Sequence, residues 1–214
     1  MEDTFRHKGL RNKLVETVAH KGITDKTVLE AIGNVPRHLF MDSGFIQFAY
    51  RDQAFPIGAG QTISQPYTVA FQSQLLQVNK HEKVLEVGTG SGYQAAVLLE
   101  MGAKVFTIER QHELYLKSRT LLTRLGYKPY FFFGDGYEGV PRYAPYDKII
   151  VTAGAPEVPQ KLVQQLKVGG RMVIPFGGTS GQTMLLIEKL STTEIRQTEH
   201  GSFAFVPMLK GKNK

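Results

Sequence analysis

The sequence predicts a doubly wound, mostly parallel α/β sheet of seven strands, with a helical extension before it and antiparallel strands after it. Three observations carry that prediction. Apolar runs of strand length alternate with segments of helical periodicity, the pattern that crossover helices between parallel strands impose. The run Val84-Leu85-Glu86-Val87 ends in Gly88-Thr89-Gly90-Ser91-Gly92 and passes at once into helical spacing, which reads as strand, tight turn, helix. Met184 to Lys189 and Glu194 to Val206 alternate without a helix long enough for a crossover, so they add antiparallel at one edge.

Taken in order, Phe5, Leu10, Leu14, Val15 and Val18 fall at near-helical spacing over Thr4 to Lys21, and Thr24-Asp25 offers a cap for a second helix through Val28, Leu29 and Ile32. Pro36 closes this pair, and a segment expected to be irregular runs from Val35 through Gly60, broken by Gly58, Gly60 and the prolines. A stretch that long without regular structure is more often functional than idle. Phe71, Leu75 and Val78 then mark a helix near whose start Ser64 falls, which on spacing alone makes Ser64 an N-cap with Pro66 in the first turn. After the glycine turn come a helix from Gln94 to Met101, a strand from Lys104 to Glu109, a helix from His112 to Leu125 and a strand from Tyr130 to Phe133. A strand beginning at Asp147, a helix from Gln160 to Lys167 closed by Gly169-Gly170, and a strand from Arg171 to Phe176 complete the parallel part. The division expected is a single domain, with residues 1–63 as extension, 64–178 as cofactor-binding core and 179–214 as C-terminal strands and tail.

The carboxyl ends of these strands carry the candidate site, because ligands of open parallel sheets bind there. Gly88, Gly90 and Gly92 let a ligand approach the backbone where a Cβ would collide. The dinucleotide fingerprint would place its third glycine one residue later, where Tyr93 stands, and Glu86 sits two residues before the first glycine. Glu109 ends the second strand, close to the roughly 20 residues expected between such a turn and an acid that accepts from ribose hydroxyls. Arg110 beside it is counted with the cofactor-binding residues. At the end of the third strand, Asp135 could accept from an adenine amino group while Gly136 lets the base lie against the backbone; a plain Asp turn is the alternative.

Composition narrows the class. The 214 residues are 42% hydrophobic and 21% charged, ordinary for a folded globular chain. No apolar run approaches the ~18 residues a spanning helix needs, and the mixed N-terminal charges do not resemble a signal peptide, so a cytoplasmic protein is the expectation. The net charge of +7 prompts a nucleic-acid partner, but Lys and Arg are spread along the chain, with mild concentration at Arg6, Lys8, Arg11 and Lys13 and in the tail Lys210, Lys212 and Lys214. A solvated surface with a frayed terminus is the reading preferred, with no nucleic-acid or membrane partner and a monomeric state. Zero cysteines remove thiolate metal sites and any cysteine nucleophile, and the six histidines lack metal-ligand spacing.

The order Glu86-x-Gly88-x-Gly90-x-Gly92 resembles the first motif of the class I methyltransferases, and for such an enzyme the residues that are missing restrict the acceptor. Methylation at C5 of cytosine uses a cysteine, which is absent, and amine methylation of bases goes with an Asn/Asp-Pro-Pro-aromatic loop where this chain has Thr152-Ala153-Gly154-Ala155-Pro156. The remaining motifs are Val35-Pro36-Arg37-His38, Gln61-Thr62-Ile63-Ser64-Gln65-Pro66-Tyr67, Val84 to Gly92, Gly134-Asp135-Gly136, Tyr146 to Ala153, Pro159-Gln160 through Arg171, and Phe205-Val206-Pro207. Together they resemble the protein-L-isoaspartate (D-aspartate) O-methyltransferases over nearly the whole chain, within the Rossmann-like class I methyltransferases.

That resemblance implies transfer of the methyl group of S-adenosyl-L-methionine to the carboxyl of isoaspartyl and D-aspartyl residues in damaged proteins, the first step of their repair. It makes Ser64 the active-site serine, with Thr62, Ile63 and Ser64 flanking the methionyl end of the cofactor and Glu86, Gly88, Thr89 and Gly90 contributing from the glycine turn. It assigns Val206 to backbone recognition of the substrate alongside Ser64, with Phe205 to Met208 closing over it. Some members carry histidines where this chain has Tyr67 and Val69. Two rivals stay open from the residues: an RNA or DNA methyltransferase, whose products would resist mild base, and a catalytically silent cofactor-binding partner.

Overall fold

The computed structural model describes residues 2–178 and 181–213; Lys214 and position 179, where the C-terminal part is expected to begin, lie outside them. Helix α1 (Phe5–His20) starts where the Thr4 hydroxyl accepts from His7 N, and α2 (Lys26–Asn34) where the Asp25 carboxylate accepts from Thr27 N and Val28 N. Two 3₁₀ segments, Arg37–Phe40 and Ser43–Phe48, follow.

The stretch expected to be irregular then contains a hairpin of β1 (Phe55–Gly58) and β2 (Gln61–Ile63). Its turn residues Ala59 and Gly60 have φ of +49° and +66°, the left-handed pair that a two-residue hairpin loop demands. Strands this short, with Pro56 and Gly58 inside one of them, carry no alternation to reveal them. Helix α3 (Pro66–Leu76) begins with proline in its first turn.

The large sheet comprises β3 (Lys83–Val87), β4 (Lys104–Glu109), β5 (Tyr130–Phe133), β6 (Tyr146–Val151), β7 (Leu166–Phe176), β8 (Gln182–Lys189) and β9 (Ile195–Phe203), with α4 (Tyr93–Glu100), α5 (His112–Arg124) and α6 (Gln160–Gln165) as connections. Its order is β5-β4-β3-β6-β7-β8-β9. The strands from β5 to β7 are parallel, and β8 and β9 add antiparallel as an edge meander, as expected. The chain runs outward from β3 to β5 and then crosses back to β6, so the crevice lies at the carboxyl ends of β3 and β6. One apolar layer joins α1–α4 to the sheet and a second packs the opposite face under α6. Leu85, Ile149 and Met172 are fully buried there, each worth ~1.5–3 kcal/mol of transfer energy.

Helix α6 stops at Gln165, two residues short of expectation, because Leu166 pairs with Tyr146. Lys189 reaches across from β8 and donates to the carbonyls of Val163 (2.8 Å) and Leu166 (2.7 Å), satisfying the acceptors that the helix end exposes. The basic tail is also docked rather than frayed through residue 213. Asn213 N donates to Arg110 O (2.8 Å) and His112 N to Asn213 O (3.0 Å). Folding brings His7 and His38 into a stack at 3.8 Å beside Asp3. Both Asp3 oxygens are taken by the Arg11 guanidinium at 3.0 Å, so this cluster ties α1 to the 3₁₀ segment.

Candidate active site

The glycine turn is held from three sides. Gly88 has a φ of +98°, and a Cβ there would collide with the Thr152 hydroxyl, which donates to Gly88 O (2.7 Å) and Val87 O (3.0 Å). Glu109, 5% exposed, accepts from Gly90 N (2.9 Å) and Gln111 N (2.8 Å). Those two amides use half of the roughly four acceptor positions of a carboxylate, leaving capacity for ligand hydroxyls. Beneath the turn, the Thr89 and Thr107 hydroxyls share a hydrogen bond of 2.6 Å, and Thr107 donates to Glu86.

Glu86 does not border the cavity, which corrects the direct contact expected of it. Its side chain points under the strand end, is fully buried and reaches the turn only through Thr107 and Thr89. Burial, with a lesser contribution from nearby Glu109, pushes its carboxyl up to about 8. The unfolded chain ionises this group near 4.5, so between roughly pH 4.5 and 8 the folded state holds the extra proton and stability falls as pH rises. Glu86→Gln is expected to flatten that slope, its melting temperature gaining on the parent from pH 5 to pH 8. Parallel melting curves for the two proteins would contradict this.

A cavity opens above the turn. It gathers Thr62, Ile63 and Ser64 from the hairpin side, Gly88, Thr89 and Gly90 from the turn, Glu109 and Arg110 from the end of β4, Gly136 from the end of β5, and Val206. A Cβ on Gly136 would lie 2.6 Å from Val87 Cγ1 and 3.2 Å from Met208 Cε, so only glycine keeps that wall flat enough for a planar group. Asp135 does not border this cavity: its oxygens accept from Tyr137 N (2.9 Å) and Gly211 N (2.7 Å). Arg110 Nε donates to Gly211 O (3.1 Å), so both predicted residues grip the tail where it passes the β4 and β5 ends.

Ser64 also faces a second space, an open groove between α3 and the β9 edge. Thr62, Ser64, Thr152 and Val206 border both the cavity and the groove. The N-cap of α3 is Gln65, without a side-chain cap bond, so Ser64 is not the plain cap that spacing alone suggests. The anion at this helix start is Asp52, which accepts from Tyr67 N (2.8 Å), Gln65 Nε2 (2.9 Å) and Lys21 Nζ (2.6 Å). Sequence reading missed Asp52, and it missed Thr152 as a wall residue. Asp52→Asn, which presents an amide to donors, is expected to lower kcat/KM about tenfold by loosening the Ser64 loop, in line with the ~0.5–2 kcal/mol of a helix cap. Normal kinetics in that variant would leave Asp52 no part in positioning Ser64. Val69 is buried against the cavity, whereas Tyr67 stands in the groove.

A doubly wound seven-stranded sheet with a glycine turn, an acid ending the next strand and a glycine wall after the third matches the fold of the class I S-adenosylmethionine-dependent methyltransferases. Comparison narrows this further. Residues 9–213 match the family Protein-L-isoaspartate(D-aspartate) O-methyltransferase. Among similar proteins, the protein-L-isoaspartate O-methyltransferase of Christiangramia forsetii is 66% identical over 214 residues, covering 100% of both chains. That of Flavobacterium johnsoniae is 59% identical over the same full lengths. A solved protein-L-isoaspartate O-methyltransferase superposes with a TM-score of 0.83 at 31% identity, covering 92% of this chain and 65% of its own. A Plasmodium falciparum structure in complex with S-adenosyl-L-homocysteine gives 0.80 at 24% identity, covering 94% and 99%, and bears on the fold. The chain belongs to the protein-L-isoaspartate (D-aspartate) O-methyltransferase family and is an S-adenosylmethionine-dependent enzyme.

Proposed function

We propose that the chain methylates the free carboxyl of isoaspartyl and D-aspartyl residues where the cavity meets the groove, with Ser64 holding the acceptor. The observation that carries this is the shared border of Thr62, Ser64, Thr152 and Val206, where the cavity opens into the groove. S-adenosylmethionine supplies a methyl group already activated on sulfur. Glu109 would accept from the ribose hydroxyls, Gly136 and Ile108 would flank the adenine, and Gly88, Thr89 and Gly90 would hold the amino acid end, with Thr62 and Ile63 beside it. Asp135 acts at one remove, by fixing the tail at Gly211, which Arg110 grips as well while itself bordering the cavity.

A carboxylate with a pKa of about 3.9 is already ionised at neutral pH, so no general base is needed. The residues have to align oxygen, methyl carbon and sulfur and to exclude water. The Ser64 hydroxyl would donate to the carboxylate, and the Val206 N–H can join it, with Val206 fixed beside the site through its carbonyl, which accepts from Gly154 N (2.8 Å). We read the protein as one domain: the extension contributes Ser64's neighbours Thr62 and Ile63, and the C-terminal part contributes Val206. We read it also as a cytoplasmic monomer, and as one without nucleic-acid or membrane partners because its 26 Lys and Arg are dispersed. Among the described residues no helix is long and apolar enough to cross a membrane.

The deciding experiment offers labelled cofactor to paired peptides that differ only in aspartyl or isoaspartyl linkage. Label should enter the isoaspartyl peptide and leave as methanol in mild base; equal labelling of both, or none, refutes the reading.

A further inference from the structure

The groove beyond Ser64 has an aromatic wall that methyl transfer itself does not use. Tyr67 and Phe71 stand one helical turn apart on α3, and Phe203 faces them from the edge strand β9. Their ring centroids lie 5.7 Å (Tyr67–Phe71), 5.1 Å (Phe71–Phe203) and 6.5 Å (Tyr67–Phe203) apart, the last pair within 11° of parallel. All three line the groove and are only half-buried, so part of each residue stays open to solvent. Half-exposed rings gathered in one concave wall are the usual lining of a site for an apolar group.

We infer that these rings form a subsite for an apolar or aromatic side chain next to the isoaspartyl residue of the substrate. The inference rests on the function proposed above. A peptide whose carboxyl sits at Ser64 has the cofactor cavity on one side, so its flanking chain must lie along the groove. Only Gln65 and Pro66 separate Ser64 from Tyr67, and an extended peptide advances ~3.3 Å per residue, so a side chain one or two positions along reaches the rings. Lys21 Nζ, 5.7 Å from the Tyr67 ring, is held by Asp52 at 2.6 Å, so the wall offers apolar area rather than a free charge at this point.

The test uses the intact protein and isoaspartyl peptides of one length, with glycine, leucine or phenylalanine placed in turn at each of the two positions on either side. At one of these positions leucine or phenylalanine should raise kcat/KM over glycine about tenfold, mainly through KM, because burying the side chain against the rings strengthens binding. In Tyr67→Ala and Phe203→Thr the phenylalanine-to-glycine ratio at that position should fall to near one. A parent enzyme indifferent to all four neighbours, while still distinguishing isoaspartyl from aspartyl peptides, overturns the subsite and leaves the proposed function standing. An unaltered ratio in both variants overturns it equally. Loss of isoaspartyl selectivity in the parent enzyme is the separate result that would remove the function on which the subsite rests.

Discussion

Ser64→Ala is expected to lower kcat/KM by ten- to a hundredfold and to leave the melting temperature unchanged. A hydrogen bond to a charged group is worth ~1.5–3 kcal/mol, and each 1.36 kcal/mol is tenfold in rate. Stability should not follow, because the hydroxyl caps nothing: Gln65 occupies the N-cap of α3 and Asp52 receives the Tyr67 amide. Steady-state kinetics on an isoaspartyl peptide, paired with thermal melting, separate the two effects. A variant that melts early and turns over normally would return Ser64 to a structural role.

Glu109→Ala should weaken cofactor binding about a hundredfold or more while changing kcat much less. Loss of two charge-assisted hydrogen bonds to ribose accounts for most of that, at ~1.5–3 kcal/mol each before compensation by water. The variant also frees Gly90 N and Gln111 N, so the turn loosens at the point where it faces the ligand. Ribose binding is much the same in ground and transition states, so its loss appears in KM rather than in turnover. Calorimetric titration with the cofactor checks this directly, and an unchanged affinity would remove Glu109 from the ribose site.

The parallel core was legible because its signals are local. Strand-length apolar runs, the glycine turn and a strand-end acid are written in consecutive residues, and Glu109 lies where that pattern puts it. Features made by distant contacts were not. Nothing near Gln165 announces that Lys189 will take the carbonyls at the end of α6, and nothing near Asp52 announces that it will cap a helix beginning at Pro66. Glu86 and Asp135 have the chemistry of ligand-binding acids, but the facing of one strand and the course of the tail direct them elsewhere. Ser64 is a different case. Its spacing suggests a cap, the resemblance to the family suggests an active-site hydroxyl, and the structure turns it to the groove without a capping bond.

The narrow border between cavity and groove has an evolutionary consequence. The walls of the cavity come from the sheet interior and the glycine turn, whereas the far walls of the groove come from α3 and the β9 edge; Thr62, Ser64, Thr152 and Val206 serve both. What is donated and what receives it can therefore drift independently, under separate selection. A library confined to Tyr67, Phe71 and the strand end at 200–205 would sample new acceptors on an unchanged donor site, and a lineage in changing need of repair could retune its clientele by the same route.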